Sequence, residues 1–355
     1  MNPRSRPGDK TPFALALREV VIQTGLKLLI ISLLTISQIA VSASGQEPVA
    51  ETERHVATKS MLRTIQKLLS ENRTASRDDQ LYAAALALFK AIEAGQEPAQ
   101  SRDMLAKALH EVAVGGHANA WIDYGRCLWN GWGVPEDREA ALAAYKRAAD
   151  LGSDNADYVV AYNLYWTFGR YDEAHAYASR ALLTAEDPDG AVRYLLGIMA
   201  YHRRGRSKDV TESRRLHLEA SQRGNADAYF ELFVYAMNGI GDRSKAAFYL
   251  KEAGQRDQPR ACANLGALYA TGQLPGIGKD LTEAVRWYKR AADLGVARAA
   301  AALGVMALRG EGMARDPEAA EAFLKRAEDS GFDVDEYLQA NRLERPSRMS
   351  PSEQR

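Results

Sequence analysis

The sequence predicts an all-α protein, a right-handed α-solenoid superhelix built from antiparallel helix pairs. Three observations predict it. A decapeptide ending in glycine recurs along the chain, as AAYKRAADLG at 143–152, RWYKRAADLG at 286–295 and AFLKRAEDSG at 322–331. With weaker copies ending at Gly116 and Gly224, these glycines are separated by 36, 72, 71 and 36 residues. Such a fixed period is the mark of a repeat array. A second segment precedes the clear copies: Ala120, Tyr124, Gly125, Leu128 and Gly131, then Ala261, Leu265, Gly266, Tyr269 and Gly272, then Ala299, Leu303, Gly304, Ala307 and Gly310. Spacings of three and four place each set on one helical face.

The elements follow in order. Arg4, Arg6, Lys10, Arg18 and Lys27 precede the 16-residue apolar run 28–43, which ends in Val41-Ser42-Ala43. That reads as a signal peptide over 1–43, with an uncleaved membrane anchor as the alternative. Residues 44–57 are polar and read as a linker. Met61, Leu62, Ile65, Leu68 and Leu69 form one apolar stripe, so 58–80 reads as an N-terminal capping helix. The array occupies 81–331 in about seven repeats. Each repeat has two amphipathic helices, and one pair cannot bury its apolar face alone, so neighbours must stack. Asp137, Asp280 and Asp316 stand at N-cap positions of the second helices, and the glycine after each suits a left-handed C-cap. Val334, Tyr337 and Leu338 mark a C-terminal cap over 332–341. Residues 342–355 read as a disordered tail.

Charge excludes several classes of function. The chain of 355 residues carries 46 basic and 46 acidic side chains. Without 1–43, which hold five basic and two acidic residues, the balance is 41 against 44, a net of −3. Nothing in it favours nucleic acid or an anionic membrane surface, so membrane contact is expected only through the N-terminal segment. Cys127 and Cys262, the only cysteines, sit at equivalent places in distant repeats and read as core side chains, not a disulfide. The six histidines form no H-E-x-x-H helix, so no metal is implied. The G-x-G pairs at 131/133, 239/241 and 310/312 join helices and lack the preceding strand of a phosphate cradle. No cofactor is implied. No G-x-S-x-G elbow occurs, and catalysis is the weakest reading.

The pattern carried by Gly131-Trp132-Gly133-Val134, Asp137, Ala141, Tyr145, Ala148, Ala149 and Gly152 resembles the Sel-one-like repeat, a relative of the tetratricopeptide repeat. Asp280, Ala284, Tyr288, Ala291, Ala292 and Gly295 carry it again, as do Gly310, Gly312, Asp316, Ala320, Ala327 and Gly331. Departures are a loop two residues longer at 272–278 and shortened turns at 168–174 and 239–242. Some relatives of that family have been described as penicillin-recognising hydrolases. This chain lacks the S-x-x-K and K-T-G that such chemistry needs.

The resemblance implies a protein-binding scaffold of the bacterial envelope, holding a protein or peptide partner on its concave face. By the repeat register, inward positions include Trp129 in one unit and Tyr158, Tyr162, Tyr165 and Trp166 in the next, a stripe at i, i+4, i+7 and i+8. Tyr194 and Tyr201, then Phe230 and Met237, continue it, and Arg260, Arg298 and Arg309 make the C-terminal end basic. Trp132, in a loop, is a further candidate contact. The same stripe is also readable as core packing between units. Periplasmic or secreted location follows from the leader. The alternative function is a scaffold associated with glycan or peptidoglycan through these aromatics, with a hydrolase a distant third.

Overall fold

The computed structural model describes residues 47–94, 101–184, 187–202 and 208–345, with side chains from residue 57 onward. The proposed signal segment 1–43 lies outside the described residues. Sixteen α-helices follow one another: α1 (Glu47–Ser70), α2 (Ala75–Glu93), α3 (Ser101–Val114), α4 (Ala118–Asn130), α5 (Arg138–Asp150), α6 (Ala156–Trp166), α7 (Tyr171–Thr184) and α8 (Ala191–His202). Then come α9 (Val210–Gln222), α10 (Ala226–Met237), α11 (Ala246–Gln255), α12 (Pro259–Thr271), α13 (Leu281–Asp293), α14 (Ala297–Arg309), α15 (Pro317–Asp329) and α16 (Val334–Ala340). They form an α-solenoid of seven pairs, α2–α3 through α14–α15, between α1 and α16. There is no β-strand among the described residues.

Most pairs close on a small residue. The ring of Tyr145 lies so close to Gly125 that a Cβ there would come within 2.4 Å of it, and Tyr288 faces Gly266 at 2.6 Å in the same sense. Leu324 fills the same slot over Gly304. In α6–α7 the equivalent positions carry Ala161 and Ala178, both fully buried. Asp137, Asp280 and Asp316 cap α5, α13 and α15 with their carboxylates, accepting from backbone N–H groups one turn in.

Pairs stack through their loops. Gly133 and Gly312, second glycines of their G-x-G loops, have φ of +68° and +71°. A Cβ on either would lie 2.2 Å from a backbone oxygen of the preceding pair, that of Arg102 or of Leu281. Only glycine meets both demands. The longer loop after α12 turns inward: Leu274 and Ile277 are buried, and Lys251 of the preceding pair donates to the Gly276 carbonyl at 3.0 Å.

Three boundaries differ from the sequence reading. Residues 47–57, taken as linker from their polarity, are helical and begin α1; they contain no glycine, and Pro48 falls in the first turn, where proline is tolerated. The capping segment 58–80 is not one helix but breaks between Ser70 and Ala75, where the Thr74 side chain caps α2. Buried Arg77 ties the two together, donating to the Leu68 carbonyl at 2.7 Å and pairing with Asp78 at 2.9 Å and Glu111 at 2.6 Å. The tail is fastened through Arg345, which pairs with Glu321 at 3.0 Å and Glu328 at 2.7 Å. Residues 346–355 lie outside the described residues. Cys127 and Cys262 are fully buried free thiols in different core clusters.

Candidate functional site

The first helix of each pair presents a face not used in closing the pair. On α6 the core takes Ala156, Val160, Ala161 and Leu164, all without exposure. Spacing of four then carries Tyr158, Tyr162 and Trp166 down the opposite side. Their rings form a ladder with centroids 6.1 Å and 6.4 Å apart. Tyr162 is 47% and Trp166 53% exposed, among the most open large apolar side chains described, while Tyr158 is half-buried. Tyr165 does not belong to the ladder. It is buried, edge-on to Tyr171 of α7 at 5.3 Å and to Trp166 at 4.8 Å. One residue is about 100° of helical turn, enough to move it from the open face to the α7 contact.

Side chains of three pairs converge beside the ladder. Burial above all pushes the Tyr158 hydroxyl up to about 12, with Tyr162, Asp189 of the α7–α8 loop and Asp227 of α10 adding to the shift. Burial likewise raises Tyr194 of α8, with Asp227 and Glu231 reinforcing and Arg260 opposing. A carboxylate on α10 thus adds to the shift of a ring on α6, two pairs away. Glu231 is itself raised, chiefly by burial, against the pull of Arg260 at 3.4 Å. Asp227 accepts from Gln258 at 3.2 Å.

The other predicted residues fall into three groups. Tyr194 and Tyr201 are half-buried on α8; Tyr194 rests on His217 at 5.5 Å, and Tyr201 stacks on Tyr235 at 5.6 Å with the Lys208 ammonium over its ring. Met237 is 38% exposed, but Phe230 is buried beneath Arg260 at 4.5 Å and lines nothing. Trp129 is half-buried under Arg138, at 5.3 Å. Trp132 is not an open loop contact: it packs on Phe89 of the preceding pair at 5.2 Å, with Arg102 over it at 5.5 Å. Arg298 and Arg309 are exposed near Tyr337. Arg309 donates to the Asn341 carbonyl at 2.8 Å and lies 4.0 Å from Glu311, whereas Arg298 has no ion pair among the described residues. Their basic end is thus not joined to the ladder by Arg260, which is engaged with Glu231 and Phe230.

Two acids were missed in the sequence. Asp227 occupies the register position of Asn119 and Arg260, and Glu231 lies one turn on, so the repeat spacing alone would have flagged both. Asp123 on α4 is the third acid of this face, one turn after Asn119 and thus at the register position of Glu231, so the same spacing would have flagged it. It is buried, which raises its carboxyl, and it is held by the Tyr82 hydroxyl at 2.7 Å and by Arg126 at 3.6 Å. No cluster of three or more metal-ligating side chains exists among the described residues.

The pairs themselves match known repeats. Residues 120–153, 191–225, 226–257, 259–296 and 297–332 each match the Sel1 repeat family model. The chain is a Sel1-repeat protein. The crystal structure of a Sel1 repeat protein from Oxalobacter formigenes shares its fold with TM-score 0.57 and 23% identity, over 84% of this chain and 91% of that one. Chitin synthase regulatory factor 3 of Schizosaccharomyces pombe is 26% identical over 233 residues, 62% of this chain and 25% of its own. The chitin synthase regulator SKT5 of Saccharomyces cerevisiae is 25% identical over 230 residues, 61% of this chain and 33% of its own. The chain thus spans a quarter to a third of the length of these relatives. Sel1 repeats typically mediate protein–protein interaction, and the family is generally non-catalytic. The stretch 154–190, which carries the aromatic ladder, lies between two matched repeats and is not itself matched.

Proposed function

We propose that this Sel1-repeat protein is a non-catalytic scaffold that holds a segment of a partner protein on the inner face of its array, centred on α6 and α8. One observation carries the reading: Tyr162 and Trp166 stand open on a helix whose packing is already complete without them. Apolar periodicity accounts for Val160, Ala161 and Leu164; it gives no reason for a half-exposed tryptophan one face away. Large aromatics in the centre of a concave surface are the usual anchors of protein interfaces. The pair α6–α7, like α2–α3, is not matched by the repeat model, which fits a position shaped by a partner.

Position-specific crosslinking tests it. A photoreactive phenylalanine at position 162 should give adducts with a partner in the cells that make the protein. The same group at Leu183, 87% exposed on α7, should give none. Adducts from 183 and not from 162, or from neither, would reject the inner face as the binding surface.

The envelope is the proposed location, from the basic leader and the apolar run 28–43. A mature N-terminus near Ser44 in an envelope fraction is the expected result. Intact Met1 in the cytoplasmic fraction would remove this part of the proposal.

A further inference from the structure

The two inner-face rings of α8 are the ends of one aromatic stack. Tyr194 rests on His217 of α9 with centroids 5.5 Å apart, and His217 on Tyr235 of α10 at 5.7 Å. Tyr235 then stacks on Tyr201, back on α8, at 5.6 Å. The Ser213 hydroxyl fastens the same place: it donates to the Gly197 carbonyl at 2.6 Å and meets the Tyr235 hydroxyl at 2.8 Å. One side chain of α9 thus stands between the inner-face rings and the next pair.

That side chain is basic, and its site is dry. His217 has no exposed surface, and neither ring nitrogen makes a hydrogen bond. Facing it are Tyr194 and Gly197 of α8, Tyr235 of α10 and Ser213 of its own helix, none of them charged at neutral pH. The carboxylates of these helices are engaged elsewhere: Glu212 and Glu219 with Arg215, Glu231 with Arg260, and Asp227 with Gln258. Arg193 of α8 is paired with Asp187 and Glu219, and the Lys208 ammonium lies over Tyr201, one ring further along the stack. A neutral imidazole fits such a place. An imidazolium would hold its charge out of water with no carboxylate beside it and two N–H groups without acceptors.

Resting on the scaffold reading above, we infer that His217 makes the inner face an acid-released clamp. Neutral, it holds Tyr194 and Tyr201 in place for the partner; protonated, it parts α9 from α8 and α10, and the partner leaves. A segment that binds only the closed face loses affinity in proportion to the fraction that has opened. The depression of the imidazole by burial, from 6.5 to about 4, agrees with a proton taken up on opening.

Hydrogen exchange of the full chain, corrected for the intrinsic rate at each pH, tests the opening. Between pH 7.5 and pH 5 the opening constant for amides of α8 and α9 should rise about thirtyfold, the ratio that one proton bound only in the open form gives. His217→Phe and His217→Leu should show no such rise. Tyr145 and Leu324 fill the same slot in other pairs, so it accepts either shape. Binding is read with a dodecapeptide selected from a phage library at pH 7.5 and lost in Trp166→Ala. At pH 5 it should bind the unaltered protein between about threefold and thirtyfold more weakly, and either variant unchanged. Exchange that rises equally in all three proteins, or in none, would overturn the inference, and so would opening that leaves peptide affinity unchanged. Each of these leaves the scaffold reading standing. If every selected peptide binds the Trp166→Ala protein as well as the unaltered one, the scaffold reading falls, and the inference with it.

Discussion

His217 lies against Gly197 in the slot that Tyr145 and Tyr288 fill over Gly125 and Gly266: a Cβ on Gly197 would come within 2.5 Å of its ring. The imidazole is fully buried between Tyr194, at 5.5 Å, and Tyr235, at 5.7 Å, and neither ring nitrogen has a hydrogen-bond partner. An ionisable group has been fitted into a position the repeat reserves for packing.

The consequence is acid sensitivity. Burial depresses the His217 imidazole from 6.5 to about 4, with the neighbouring Tyr194 backbone partly offsetting it. Between pH 6.5 and 4 the unfolded chain therefore binds a proton that the folded chain does not. Stability present above pH 6.5 is lost as the pH falls through that window, by about 3 kcal/mol in all. Urea unfolding at a series of pH values should show this loss in the unaltered protein and not in His217→Phe. Parallel curves would remove His217 as the cause.

The pair-closing glycines give a second test. Gly266→Ala brings a methyl group within 2.6 Å of the Tyr288 ring and should cost about 1–3 kcal/mol by overpacking. At Gly278 a Cβ meets nothing within 4 Å, and φ there is not left-handed. Gly278→Ala should be neutral, or stabilising by about 0.4–1 kcal/mol through the unfolded chain. Equal effects in thermal unfolding would contradict the register of α12 against α13.

Asp123 supplies a third. Its buried carboxyl depends on the Tyr82 hydroxyl, donated from the preceding pair at 2.7 Å. Tyr82→Phe should cost about 1–3 kcal/mol, as expected for a buried acceptor left unsatisfied. It should also move the Asp123 titration further up when followed by NMR. An unchanged titration would show that Arg126 alone holds the carboxylate.

The repeat was legible because its signals are local. Glycines at recurring spacing, a capping aspartate before the second helices α5, α9, α13 and α15, and alanines at helical spacing all lie within one unit, and each reappears in the structure at the place the register gives. What failed was decided between units. Tyr165 and Trp166 are neighbours of equal character, and only the arrival of Tyr171 on α7 sends the first inward. Trp132 sits in a loop, and its partner Phe89 belongs to the preceding pair. Polarity misled at 47–57, because polar residues without glycine are also good material for an exposed helix. Asp123 depends on a hydroxyl 41 residues earlier, a contact no periodicity records.

The most direct measurement compares alanine at Tyr165 and Trp166, adjacent residues to which the structure gives opposite roles. Each variant would be followed by urea unfolding and by binding to the segment that crosslinks at position 162. Trp166→Ala should keep its stability within about 1 kcal/mol, as for an exposed side chain, and lose about 2 kcal/mol or more of binding. Tyr165→Ala should lose about 3–5 kcal/mol of stability, as expected for a buried aromatic. A Trp166→Ala protein that unfolds as readily as Tyr165→Ala would make the ladder part of the core, and one that binds unchanged would make it idle surface; either result contradicts the account.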